Sequence, residues 1–277
     1  MRPLPPLFVL DELREVNEGL VDLMAAMSPS DWTRPTVHRD RDVKDLVAHL
    51  LDGSLKRLSS QRDGWAGVRF EGSTYAELVA FVQERNREWI VAARRLSPTM
   101  LARMVAEADS ALLEVFAELD PHADAPFPVA WAGDTCSPNW FDVAREYTEK
   151  WHHQAQLREA IGKPGLDSRR YLHPVLSTFV RGLPHAYQSV DAPEDTRVQL
   201  TITGEATSVW CLTRAEGAWA LEAKVVGDPA CEVVLDEGVA WRLWTRSLAS
   251  ADTRSRIAVH GDAELAAPML AMCCVLA

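Results

Sequence analysis

The spacing of apolar residues changes once along this chain, and that change constrains the fold more than any other feature. In the first part the apolar positions recur every three or four residues, as in Leu13, Val16 and Leu20, which is the period of an amphipathic α-helix. From Arg197 onward, apolar residues alternate with polar ones, which is the period of a β-strand. The pattern therefore predicts a helical bundle followed by a smaller α+β part.

The helices predicted in the first part are separated by proline, glycine and capping residues. Asp42 is expected to cap the second helix, and Ser97 and Pro98 separate the third from the fourth. Gly162 and Pro164 follow the fifth helix in the positions that usually end one. The predicted helices cover residues 10–27, 43–58, 78–96, 101–119 and 141–161.

The second part is predicted to begin with a connecting helix at residues 168–180. Strands are predicted at residues 198–202, 219–223 and 231–235, and helical segments at residues 238–247 and 263–275. Asp262 is a predicted cap for the last helix, which includes an apolar, buried chain end. We expect two domains: a metal-binding helical bundle in residues 1–165, and an α+β domain in residues 166–277 that includes the connecting helix.

Charge and cysteine usage argue against several classes of function. The 277 residues carry 40 acidic and 29 basic side chains, a formal charge of -11, which does not favour binding to nucleic acid or an anionic membrane. The five cysteines are an odd number without the CxxC spacing of a thiolate zinc site, so we expect a reducing, cytoplasmic location. No export signal or membrane span is expected. The expected partners are small molecules, and the protein is expected to be a monomer or a homodimer.

Side chains on two predicted helices form a candidate metal site. Glu149 and His153 are four residues apart and project from one helical face, and His49 lies on the second predicted helix. Three ligands of this type leave one coordination position open, which is typical of catalytic zinc. His152 is also within reach of Glu149, so spacing alone does not choose between the two histidines. Gln156, one turn beyond His153, could orient a ligand or a bound water.

Four nearby residues are predicted to have no part in the chemistry. Arg145 and Glu146 are expected to form a solvated or structural ion pair. Cys136 has no basic residue close by in sequence and is expected to be a small hydrophobic residue rather than a reactive thiol. His38 lies in the loop before the helix that carries His49, where a solvated position is expected, although contact with an anionic substrate is the alternative.

Two segments of the first part resemble a known family. Residues 42–50, DVKDLVAHL, resemble the metal-histidine helix of the mycothiol-dependent maleylpyruvate isomerases and of the wider DinB-like metal-binding bundles. Residues 149–162, EKWHHQAQLREAIG, resemble that family's stretch E-x-x-x-H-x-x-D-L-x-x-A-x-G. Alignment on Ala160 and Gly162 selects His153 over His152.

The resemblance continues into the second part. Residues 227–236 are similar to the family's smaller C-terminal domain, which has a sterol-carrier-like fold, and so are Trp241-Arg242-Leu243 and Gly261-Asp262 with Leu265. The resemblance therefore implies a DinB-like four-helix bundle followed by a small α+β sterol-carrier-like domain. It covers nearly the whole chain.

The resemblance also implies a ligand set and a reaction class. It implies zinc, or another divalent metal, held by His49, Glu149 and His153, with mycothiol as the thiol cosubstrate. The implied activity is isomerisation or S-transfer on a small electrophilic substrate. Gln156 stands where the family usually has aspartate, and Arg41 where a tryptophan is common, so we do not expect maleylpyruvate isomerase in particular. A zinc hydrolase that activates water, and a metal-stabilised ligand-binding or regulatory module, are the alternatives.

Overall fold

A computed structural model describes residues 4–65, 67–223, 227–248 and 256–275. Its first part is helical, and the helices predicted there are confirmed with ends that differ by a few residues. These helices are α1 (Leu10–Ala26), α2 (Val43–Arg57), α3 (Tyr75–Ala93), α4 (Pro98–Glu118) and α5 (Asn139–Ala160). The Asp42 carboxylate accepts a hydrogen bond from the Asp45 main-chain N–H at 2.8 Å, which confirms the predicted cap of α2.

Four of these helices enclose a common apolar core. α2 packs on α4 and α5, α1 packs on the same two helices, and α3 packs on the outside of α2. Leu20, Leu46, Leu101 and Leu157, one from each of the four, are completely or almost completely buried. Their burial is the main term that holds the bundle together, because each removes apolar surface from water.

α5 also carries charged residues on its buried face, and the facing helices neutralise them. Arg57 of α2 binds Asp142 of α5 through two hydrogen bonds of 2.8 Å and contacts Glu146 at 2.7 Å. Lys150 of α5 lies 2.7 Å from Asp109 of α4. Because unpaired buried charges are costly, these pairs restrict how α5 can sit against its neighbours.

The prediction that Arg145 and Glu146 pair with each other is wrong. The structure pairs Glu146 with Arg57 on α2, while Arg145 contacts Asp142 on its own helix. The reason is tertiary: Arg57 is an interior cation from another helix, and it lies within reach of two carboxylates of α5.

The second part of the chain is α+β, as predicted. Helices α6 (Arg169–Phe179) and α7 (Leu183–Ala186) precede a five-stranded sheet, α8 (Glu237–Trp244) lies between its fourth and fifth strands in the chain, and α9 (Ala263–Ala271) follows the fifth. The strands are β1 (Arg197–Thr203), β2 (Ser208–Ala215), β3 (Ala218–Glu222), β4 (Cys231–Asp236) and β5 (Ile257–Gly261). Their order is β3-β2-β1-β4-β5, and β1 pairs in parallel with β4 while the other neighbours are antiparallel.

Two of these strands were not predicted. β2 buries four consecutive residues, 210–213, so it lacks the apolar and polar alternation that reveals a strand. β5 is an edge strand without a buried residue. The predicted helix at residues 263–275 is also shorter than expected, since α9 ends at Ala271, and residues 276–277 lie outside the described residues.

The two parts of the chain pack against each other through α5. α6 lies on α5 and contacts α8. Trp151 of α5 meets Trp241 of α8 edge to face, with ring centroids 5.3 Å apart. The proposed division between residues 165 and 166 falls between α5 and α6. None of the helices within the described ranges is long and apolar enough to cross a bilayer.

Candidate metal centre

The structure brings the three predicted metal ligands together. His49 lies in the middle of α2, and Glu149 and His153 lie on the face of α5 that contacts it. One nitrogen or oxygen atom from each residue lies within 4.8 Å of those of the other two. His153 Nε2 is 3.5 Å from Glu149 Oε2, and the rings of His49 and His153 meet edge to face at 4.8 Å between centroids.

The adjacent histidine has a different environment. His152 Nδ1 lies 2.7 Å from the Thr148 carbonyl oxygen of its own helix, which is an ordinary partner for a buried histidine. Burial, together with the neighbouring His153, lowers the pKa of His152 to about 3. Of the two rings, the structure therefore places that of His153 in the group with Glu149 and His49.

Gln156 orients the ring of His153. The Gln156 side-chain oxygen lies 2.8 Å from His153 Nδ1, so that nitrogen donates a proton to the amide. The other ring nitrogen, Nε2, then presents its lone pair toward Glu149. The amide nitrogen of Gln156 donates to Ser247 Oγ at 2.8 Å, in the turn after α8. Gln156 thus has the contacts expected of a residue that orients a ligand.

The charges at this site suit a cation. Burial raises the pKa of Glu149, whereas the imidazole groups of His153, His152 and His49 lower it by more, so the net pKa is lowered and the carboxylate stays ionised. Burial lowers the pKa of His49 well below its ordinary range, so its ring is neutral near pH 7. A carboxylate and neutral imidazoles are the protonation states from which metals are bound.

The donors also fit zinc in number and type. Two histidines and one glutamate are a ligand set of catalytic zinc sites, which keep a further position for water or substrate. His49 Nδ1 is buried and has no hydrogen-bond partner among the residues that the structure describes. The Glu149 side chain is 33% exposed, so the group is reachable from solvent on that side.

His38 is a site neighbour that the sequence did not reveal. Its Nε2 lies 3.3 Å from the same Gln156 oxygen, and its ring centroid is 6.1 Å from that of His153. Burial, followed by the charges of His153 and Arg41, lowers the pKa of His38. The prediction of a solvated loop position is therefore wrong for His38, which is only partly exposed. No local signal could have shown it, since its partner Gln156 lies 118 positions away in the chain.

Cys136 also differs from its prediction. It is exposed instead of packed as a small hydrophobic residue. A hydrogen bond with Asp124, together with the negative charges of Asp124 and Asp134, raises the pKa of its thiol, so it does not supply a reactive thiolate.

Comparisons with known proteins point to one family. The model of the mycothiol maleylpyruvate isomerase N-terminal domain matches residues 13–158, which include His49, Glu149 and His153. A search of curated protein sequences gave no match.

Two solved structures resemble the whole chain. One is the mycothiol-dependent maleylpyruvate isomerase, with 13% identity, a TM-score of 0.55, and coverage of 94% of this chain and 95% of that one. The other is a histidine-to-alanine mutant of a protein with that name, with 12% identity, a TM-score of 0.55 and the same coverage. At such identities the likeness establishes a shared fold, and it extends over both parts of the chain.

Proposed function

This chain belongs to the family of the mycothiol maleylpyruvate isomerase N-terminal domain, and from that premise we propose that it is a zinc-dependent enzyme that uses mycothiol on a small electrophilic substrate. His49, Glu149 and His153 would hold the metal. The reaction class is addition of the thiol to an electrophilic carbon, after which an isomerase expels the thiol and a transferase retains it. Residues 1–165 would form the metal-binding bundle and residues 166–277 the α+β domain.

One observation carries the proposal. Three donors from two helices converge within 4.8 Å, and the group includes an ionised carboxylate and a neutral imidazole whose Nδ1 has no hydrogen-bond partner within the described ranges. A cation bound by these donors would offset the charge of the carboxylate and would be coordinated by imidazole nitrogens in the state from which metals are bound. When bound, zinc would lower the pKa of a coordinated thiol, so that thiolate is available at neutral pH.

The residues of the chain hold this arrangement before any ligand arrives. Gln156 keeps the His153 proton on Nδ1, away from the cluster. The pairs of Arg57 with Asp142 and of Lys150 with Asp109 fix α5 against α2 and α4 on either side of Glu149 in the sequence. A site held on rigid helices loses little freedom on binding, which favours tight coordination.

The substrate is proposed only as a class. Gln156 carries no charge, whereas the family pattern usually has aspartate at this position, so the environment of His153 differs from that pattern. We therefore propose an isomerase or S-transferase whose electrophile is other than maleylpyruvate. In this proposal the protein acts in the cytoplasm on small-molecule partners, as a monomer or a homodimer.

A cobalt-substituted sample titrated with mycothiol tests the proposal. Thiolate coordination should add a sulfur-to-cobalt charge-transfer band, and binding should strengthen as the pH rises toward the pKa of the free thiol, since coordination releases a proton. The His49→Ala variant is the control and should show no band. If mycothiol leaves the cobalt spectrum unchanged at saturation while the zinc form cleaves an ester or amide with water, the hydrolase alternative replaces this proposal.

A further inference from the structure

Gln156 is the link between the candidate metal centre and the second part of the chain. It is 2% exposed, and its side chain contacts His153 and His38 through the oxygen and Ser247 through the nitrogen. Ser247 is also buried, with 5% of its surface exposed, and follows α8, so it comes from a part of the chain 91 positions away. The contact has no part in the function proposed above.

The orientation of this amide determines where the His153 proton lies. With the oxygen toward the ring, Nδ1 must carry the proton and Nε2 presents a lone pair. With the amide turned over, its NH₂ group would donate to Nδ1, and the proton would move to Nε2, which faces Glu149 at 3.5 Å. The Glu149 carboxylate favours that second arrangement, since it would accept the Nε2 proton. One contact that can hold the amide against this preference is His38, whose Nε2 lies 3.3 Å from the same oxygen. The second constraint comes from the partner of the amide nitrogen.

The turn that carries Ser247 provides this constraint. Ser247 Oγ lies 2.8 Å from Thr245 Oγ1 and 3.4 Å from the Thr245 main-chain oxygen, which can only accept. With its own proton directed to Thr245, the Ser247 hydroxyl presents a lone pair to Gln156. It can then pair with the amide NH₂ group but not with the amide oxygen.

The backbone of this turn forms the C-terminal cap of α8. The main-chain N–H of Ser247 donates to the Arg242 oxygen at 2.8 Å, and that of Arg246 donates to the Leu243 oxygen at 3.2 Å, which is the pattern of a Schellman turn. Arg246 has φ of 53°, in the left-handed region that usually favours glycine at this position. Because a residue other than glycine adopts this φ at a cost, the surrounding contacts hold the backbone of the turn in this conformation.

From these contacts we propose that Ser247 is a positioning residue for His153. It holds the Gln156 amide with its oxygen toward the ring, and so keeps the His153 proton on Nδ1 and leaves Nε2 free for a metal. The role of Ser247 in metal binding rests on the proposed function. The tautomer of His153 can be measured in the metal-free protein and does not depend on that function.

The first test is therefore made without metal. In the metal-free protein, ¹⁵N chemical shifts of the histidine rings should show His153 with its proton on Nδ1. Ser247→Ala removes one oxygen atom and should shift the ring toward the Nε2–H tautomer. Ser177→Ala is the matched control, because Ser177 is a serine of the same 5% exposure whose hydroxyl instead contacts His173 on α6. It should leave the tautomer unchanged.

A rescue variant separates positioning from general damage to the fold. In Gln156→Glu the side chain has two acceptor oxygens and no donor, so it needs no orienting partner. Combined with Ser247→Ala, it should restore the Nδ1–H tautomer. Should Ser247→Ala fail to fold by circular dichroism, Ser247→Cys takes its place, since the thiol occupies similar space but is a weak acceptor for the Gln156 amide, and it should shift the tautomer in the same direction.

Zinc affinity provides the second measurement. Ser247→Ala should weaken zinc affinity about tenfold, which is the lower end of the range for residues that support a ligand. In a Gln156→Leu background, Ser247→Ala should not change zinc affinity, because the contact through which it acts is already absent. An unchanged tautomer in Ser247→Ala, or a loss of affinity that persists in the Gln156→Leu background, would overturn the inference. If the wild-type protein binds no zinc, the proposed function fails, and the tautomer comparison still judges the role of Ser247.

Discussion

At the residue scale, His152 and His153 are neighbours in sequence with different partners. The ring of His152 is hydrogen-bonded to the Thr148 carbonyl oxygen of its own helix. The ring of His153 instead lies between Glu149, His49 and Gln156. Since only one of them has a nitrogen directed at the other donors, the two residues should respond differently to replacement.

Replacement by alanine tests this difference. His153→Ala should abolish stoichiometric zinc binding, because two remaining donors hold the ion poorly. His152→Ala should retain one zinc per chain and instead lower stability, since it leaves a cavity in the packing around α5. Metal content and thermal unfolding are measured on both purified variants. Retention of zinc by His153→Ala with loss in His152→Ala would reverse the assignment.

Glu149 is expected to contribute charge as well as an oxygen atom. Glu149→Gln preserves the shape of the side chain but removes the negative charge, and it should weaken zinc affinity beyond the 10–100-fold typical of residues that only support a ligand. Glu159→Gln is the control, because Glu159 is an exposed carboxylate on the same helix. Competition with a chelator measures both. Equal affinities for wild type and Glu149→Gln would remove Glu149 from the ligand set.

At the element scale, buried ion pairs set the position of α5 against α2. Arg57 has a side chain that is 7% exposed and binds both Asp142 and Glu146, whose side chains are 1% and 8% exposed. Nearby carboxylates outweigh the effect of burial and raise the pKa of Arg57, so it remains charged. The two helices that carry the site are therefore held together by these ion pairs of Arg57 as well as by apolar packing.

Removal of Arg57 should lower the stability of the fold. Arg57→Met leaves the buried Glu146 without its cation and Asp142 with Arg145 alone, and it should lower the free energy of unfolding by about 3–5 kcal/mol. Arg103→Met interrupts the exposed pair with Glu107 and should have a much smaller effect, because water screens that pair. Denaturant unfolding measures both. A loss below about 1 kcal/mol for Arg57→Met would show that the pair does not hold the helices.

At the scale of the whole molecule, the ligands come from two helices that are distant in sequence. His49 and His153 are brought together only by the folded bundle. A metal that binds them therefore binds the folded state in preference to the unfolded one, and metal binding should be coupled to folding.

This coupling predicts a metal-dependent melting temperature. Free zinc at about 100 times its dissociation constant should stabilise the fold by about 2.7 kcal/mol, which is several degrees for a chain of this size. Differential scanning calorimetry of metal-free and zinc-loaded protein measures the shift, and His153→Ala should show none. A zinc-induced shift of equal size in that variant would place the metal elsewhere.

The sequence by itself determined the features that depend on local spacing. The period of apolar residues predicted the bundle helices and the α+β part, and the i, i+4 spacing of Glu149 and His153 placed them on one face of α5. β2 and β5 were not predicted from the sequence. β2 has four consecutive buried residues and β5 has none, so neither shows the alternation of buried and exposed residues that indicates a strand. The metal ligands themselves remain a prediction that the geometry supports.

Tertiary structure alone decided what surrounds those ligands. Gln156 meets His38 and Ser247, which lie 118 and 91 positions away, and Glu146 pairs with Arg57 of another helix instead of its sequence neighbour. Local periodicity carries no information about such contacts, because they depend on how whole elements pack. The sequence could therefore indicate where a cation would bind, while the packing of the helices and of the turn after α8 decided how its ligands are oriented.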